Sequence, residues 1–170
     1  NIQRKIMLSC ATHGKRSIVA THLLESMINN PTPTRAEVTD IANAVYEGAD
    51  AVMLSGETSI GKYPEECIKF MKSIVAETEK FKTLGYENNL QKNSDWEYIG
   101  QAAKNLAESI KADGIIAITR TGDTATYIAN AKPHGVPIFS FTNNEVTLRQ
   151  LSLVGSCLLY TSPSPRDLST

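Results

Sequence analysis

Ser17-Ile-Val-Ala-Thr21 and Ala51-Val-Met-Leu54, with the stretch 35–47 between them, decide the fold. Both runs are short, apolar and rich in branched side chains, the pattern of a buried strand in a parallel sheet. Pro31 and Pro33 break the chain after the first run. Thr34-Arg-Ala-Glu37 then has the S/T-x-x-E spacing of a capping box. Val38, Ile41, Ala42 and Val45 recur at i, i+3, i+4 and i+7, so a helix over 35–47 buries one face. Gly48 ends it, as a residue that tolerates positive φ does. Strand, helix and strand within roughly thirty residues make a βα unit.

The alternation continues downstream. Pro64 suits a first helical position, Glu65 and Glu66 suit the first turn, and the helix runs to about Lys82. The stretch 85–94 is polar and aperiodic and reads as a linker. Ser94-Asp-Trp-Glu97 is a second capping box, and Ile99, Ala102, Ala103, Leu106 and Ile110 mark the face of its helix. A strand over 114–119, a helix over 124–131 and a strand over 137–141 follow. Thr142-Asn-Asn-Glu145 reads as a third capping box. Such alternation implies parallel sheets. The first block is too short to close a barrel or cover a sheet, so residues 1–84 read as part of a domain. Residues 95–156 read as a partial α/β domain. From Cys157 the sequence loses its period and carries Pro163 and Pro165; residues 157–170 read as a non-native tail resembling a translated adapter.

The 170 residues carry 17 Lys+Arg against 18 Asp+Glu, a net charge of −1, and 41% hydrophobic residues. That balance excludes disorder, gives no electrostatic footprint for nucleic acid or an anionic membrane, and leaves no apolar run long enough to span a bilayer. Cys10, Cys67 and Cys157 are odd in number and scattered, which points to a reducing cytoplasm rather than a disulfide framework. His13, His22 and His134 lack metal-ligand spacing. Met7, Met27, Met53 and Met71 read as packing residues, and Trp96 as a helix-start anchor.

Chemistry belongs at the carboxyl ends of the strands, where parallel α/β folds bind their ligands. Thr21 stands at one such end, and Ser55-Gly-Glu57 at the next. Two hydroxyls and a carboxylate at one edge suit proton transfer. The structural alternative is that Thr21 and Ser55 cap turns and Glu57 is solvated. The loop Thr119-Arg-Thr-Gly-Asp-Thr124 joins a strand to a helix and offers hydroxyls, N–H groups and a guanidinium, a combination that suits a phosphate. Asp123 opposes an anion there and suits a helix cap instead.

Ala20-Thr-His-Leu-Leu-Glu-Ser-Met27, Pro33-Thr-Arg-Ala-Glu-Val38, Asp40-Ile-Ala-Asn-Ala-Val45, Gly48-Ala-Asp50, Met53-Leu-Ser-Gly-Glu-Thr58 and Gly61-Lys-Tyr-Pro64 together resemble the pyruvate kinase family. The likeness is strong over residues 1–82 and extends over 88–155 as the start of that family's C-terminal domain. It implies the last βα units of a (β/α)8 TIM barrel followed by part of a parallel-sheet α/β regulatory domain. It also implies phosphoryl transfer from phosphoenolpyruvate to ADP, giving pyruvate and ATP, with Mg2+ and K+ and in a homotetramer. By the same resemblance the metal carboxylates, the phosphate lysine and the K+ ligands lie upstream of Asn1, so this piece alone is expected to be inactive. Thr21 matches a threonine beside the carbon to be protonated; Ser55 and Glu57 match residues of a proton path. His22 stands where the family usually has Gln, a departure from the family pattern. Arg35 and Glu37 serve the helix start and subunit packing. In the second domain Thr119, Arg120, Thr121, Gly122 and Thr124 match a loop that holds a phosphate of sugar-phosphate effectors. The alternatives are a non-catalytic phosphometabolite-binding α/β module, and a truncated product without a stable fold.

Overall fold

The computed structural model describes residues 2–154 in full and residues 157–161 as backbone. Contacts divide the chain into two compact units, one reaching to Tyr86 and the other running from Glu87 onward, with residues 10–15 grouped with the second.

The first unit begins in helix α1 (Ile2–Thr12) and centres on two parallel strands, β1 (Ile18–Ala20) and β2 (Ala51–Met53). Ile18 pairs with Ala51 and Ala20 with Met53, so the strands end level. Between them run a 3₁₀ turn (Glu25–Ile28) and α2 (Arg35–Tyr46); after them come α3 (Gly56–Ser59) and α4 (Pro64–Thr78). The Thr34–Glu37 capping box forms in full: the Thr34 hydroxyl accepts from Glu37 N–H, and Glu37 accepts from Thr34 N–H at 2.7 Å. Gly48 takes φ +83, the left-handed turn that ends the helix. Leu23, Leu24, Met27, Ile41, Cys67 and Met71 form the core, with Val19, Val52 and Leu54 packed on it. Met7 is buried as expected, but Met53 is 46% exposed, because it points away from that core at the end of β2. Helix α4 stops at Thr78 rather than Lys82, and Tyr86–Asn89 in the expected linker forms a 3₁₀ turn.

The second unit carries α5 (Asp95–Ile110), β3 (Ile115–Ile118), α6 (Asp123–Asn130), β4 (Ile138–Thr142), α7 (Glu145–Leu151) and β5 (Cys157–Thr161). The three strands pair in parallel in the order β3-β4-β5. Ala117, Ala125, Ile128, Ile138, Leu151 and Val154 make its core. Gly100 lies against α6 so closely that an added Cβ would stand 2.7 Å from the Tyr127 carbonyl oxygen. Two expectations are corrected here. The third capping box does not open α7: Thr142 stays in β4, 3% exposed, and Asn144 caps the helix by accepting from Val146 and Thr147 N–H. The run from Cys157, expected to lack regular structure, contributes β5. A continuous apolar strand shows no alternation to read, and Pro163 and Pro165 lie beyond it. Residues 162–170 of the expected tail lie outside the described residues.

Candidate active site

Because β1 and β2 are parallel and in register, the turns after them emerge at the same edge. Thr21 directly follows β1, is exposed, and has φ +70; His22 has φ +57. Two consecutive non-glycine residues in the left-handed region are uncommon, and a β-branched one more so. The Thr21 hydroxyl donates to the Ala20 carbonyl at 2.6 Å. His22 Nδ1 lies 2.6 Å from Glu25 Oε2.

Ser55 is exposed one residue beyond Leu54, and its carbonyl accepts from Thr58 and Ser59 N–H. Glu57, in the first turn of α3, is only 2% exposed, so the solvated alternative is set aside. Its Oε2 accepts from Ser55 N–H at 2.7 Å and its Oε1 from Leu24 N–H at 3.1 Å. One carboxylate thus joins the turn after β2 to the turn after β1. Burial acts on it most and would raise its pKa. The backbone N–H groups, with the charge of His22, outweigh burial and hold the carboxyl below its usual range. Beneath it the Cys67 thiol donates to the Glu57 carbonyl at 3.7 Å; burial, then the Glu57 charge, pushes that thiol up.

The structure therefore brings Ser55 and Glu57 into direct contact and sets Thr21 at the same sheet edge, three residues before Leu24. Sequence reasoning missed Leu24, whose role resides in its N–H and leaves no trace in residue type. It also missed Asp50. At the opposite end of the strands Asp50 Oδ2 accepts from Ser17 N–H at 2.8 Å and from the Ser17 hydroxyl at 3.1 Å.

In the second unit, Thr119 is 8% exposed and its hydroxyl accepts from Gly122 N–H at 2.9 Å. Gly122 precedes α6 with φ +95, a conformation that glycine adopts without strain. Thr121 donates to Asp123 at 2.7 Å, and the Arg120 carbonyl accepts from Thr147. A cleft of about 520 Å³ opens beside this loop, lined by Thr119, Arg120, Thr142 and Asn143 from the ends of β3 and β4 and by Ile116, Ile118 and Phe141. Thr124 lies in the first turn of α6. Among the described residues no helix is long and apolar enough to cross a membrane.

Residues 1–68 match the family described as "Pyruvate kinase, barrel domain", and residues 97–168 match "Pyruvate kinase, alpha/beta domain". The pyruvate kinase of Agrobacterium vitis is 39% identical over 166 residues, covering 95% of this chain and 35% of that protein. That of Chlamydia muridarum is 43% identical over 163 residues, covering 91% and 34%. A crystal structure of a pyruvate kinase from Cryptosporidium parvum aligns with a TM-score of 0.90 at 34% identity, covering 95% of this chain and 34% of that one. The chain thus spans about a third of the length of these relatives. Its two units are the closing βα units of a TIM barrel and the start of an α/β domain, and the chain belongs to the pyruvate kinase family.

Proposed function

We propose that the chain supplies one rim of an active site that moves a phosphoryl group from phosphoenolpyruvate to ADP and protonates the resulting enolate to pyruvate. In this reaction the bond from phosphorus to the enol oxygen breaks as a bond to the terminal oxygen of ADP forms. The enolate carbon then takes a proton. The observation that carries the reading is the level ending of β1 and β2, which puts Thr21, Ser55 and Glu57 at one sheet edge. Thr21 is the proton donor: breaking its bond to the Ala20 carbonyl frees the O–H for the carbon, and its oxygen takes a proton from solvent water in the same step, so that the net proton comes from solvent. Glu57 stands behind Thr21 and Ser55 as fixed negative charge.

Mg2+ and K+ supply charge neutralisation in such a transfer. Among the described residues no group of three His, Cys, Asp or Glu side chains is placed to hold a metal ion, and no step is routed through either cation. The chain by itself is expected to turn over no phosphoenolpyruvate. The reading carries a cytoplasmic setting, consistent with the free thiols of Cys10 and Cys67, and a homotetrameric full-length enzyme.

The test is Thr21→Val in a full-length pyruvate kinase carrying this segment. Enolate protonation, followed as solvent-proton exchange into the methyl group of pyruvate, should slow by about 10²–10⁴-fold. Unchanged exchange overturns the assignment.

The cleft beside Thr119 and Arg120 supports a second part of the same reading: a sugar-phosphate effector places its phosphate at Thr119–Thr124. The Thr121–Asp123 bond must open for this. Titrating the full-length enzyme with a sugar bisphosphate should raise its melting temperature, and Arg120→Ala should abolish the rise. No rise in the parent enzyme leaves the loop a helix cap.

A further inference from the structure

We propose that Glu57 is a positioning residue: its buried carboxylate ties the turn after β1 to the turn after β2 and so holds Thr21 in its left-handed backbone conformation at the rim. The inference rests on the reading of Thr21 as proton donor and deepens it.

Three observations carry it. Thr21 and His22 both sit at positive φ, a strained conformation for a residue with a Cβ. Such a conformation persists only where its surroundings over-determine it. Next, the surroundings here are identifiable. Leu24 N–H, three residues after Thr21, is fixed by Glu57 Oε1 at 3.1 Å, and the His22 ring is held on Glu25. The anchor itself is rigid, because Glu57 Oε2 is held by Ser55 N–H at 2.7 Å and the side chain is 2% exposed. Finally, both oxygens accept from backbone N–H groups. A carboxylate so engaged is an acceptor with no proton to give. His22 and Cys67 are the titratable neighbours that face it, His22 through its charge and Cys67 through the thiol on the Glu57 carbonyl. Asp50 ties Ser17 in the same manner at the other end of the strand pair, away from the reacting groups. The two carboxylates fix the same pair of strands, but only the one at the carboxyl edge bears on Thr21.

The experiment compares Glu57→Gln with the double variant His22→Gly/Glu57→Gln in the full-length enzyme, by kcat, KM and the pH profile of kcat. An amide keeps one acceptor oxygen and turns a donor toward a second N–H. Turnover should fall by about 10–100-fold, the scale of a small misplacement of a reacting group, with the limbs of the pH profile unmoved. Glycine takes φ +57 freely, so adding His22→Gly should restore at least roughly 3-fold of the loss. Loss of a pH limb without recovery would make Glu57 a proton carrier and overturn the proposal, as would unchanged turnover in Glu57→Gln. Should the variant fail to fold, amide hydrogen exchange of the unsubstituted enzyme decides. Leu24 and Ser55 N–H should be protected like strand amides, and exchange at loop rates overturns the tie. Thr21→Val with undiminished turnover would defeat the donor reading instead, and the exchange measurement would still judge the tie.

Discussion

Glu37 gathers the N–H and hydroxyl groups of Ser26 and of Thr34 around one carboxylate. Burial is the largest influence and would raise its pKa; the bonds from Ser26 and Thr34 outweigh it and hold the carboxyl below its usual range. A depressed carboxylate stabilises the fold above its unfolded pKa, and that contribution disappears as pH falls through the folded value. Glu37→Gln should therefore cost about 1 kcal/mol at pH 7, the scale of a lost cap, and progressively less in acid. Melting temperatures of parent and variant should converge from pH 7 toward pH 3; a constant gap would contradict this. The cap was legible in the sequence, since its partners are three residues apart. The contact with Ser26 was not, because an eleven-residue separation bridged by a 3₁₀ turn leaves no periodicity. Glu57 taught the same lesson more sharply: a carboxylate after Ser-Gly looks solvated until the neighbouring turn supplies Leu24 N–H.

At the scale of elements, the strands and long helices were readable because each has a strong period or a continuous apolar run. Their ends were decided by competition. Thr142 and Glu145 have capping-box spacing, yet β4 keeps Thr142 in its ladder beside β5, and the cap passes to Asn144. Asn144 Oδ1 accepts from both Val146 and Thr147 N–H, at 2.9 and 3.1 Å. Asn144→Ala should destabilise the second unit by about 0.5–2 kcal/mol in denaturant titration, while Asn144→Asp stays close to the parent. Thr142→Ala is the control for a capping role: a loss of helix α7 in that variant would restore the box.

For the whole molecule, the apolar surface matters most. Ile116 and Ile118 on β3 are 68% and 80% exposed, and β3 lies at one edge of its three-stranded sheet. Open apolar edges favour association with another chain. Ile118→Lys should keep the chain monomeric at concentrations where the parent self-associates, as read by light scattering. Equal association in both would move the sticky surface elsewhere. The pairing of the strands has a consequence for how the chain is made. Parallel neighbours have no tight turn between them. During synthesis, β3 can pair with β4 only once Ile138–Thr142 has left the ribosome. That wait leaves an apolar segment without its β4 neighbour for the time it takes to translate the intervening helix, a window in which a chaperone would find it.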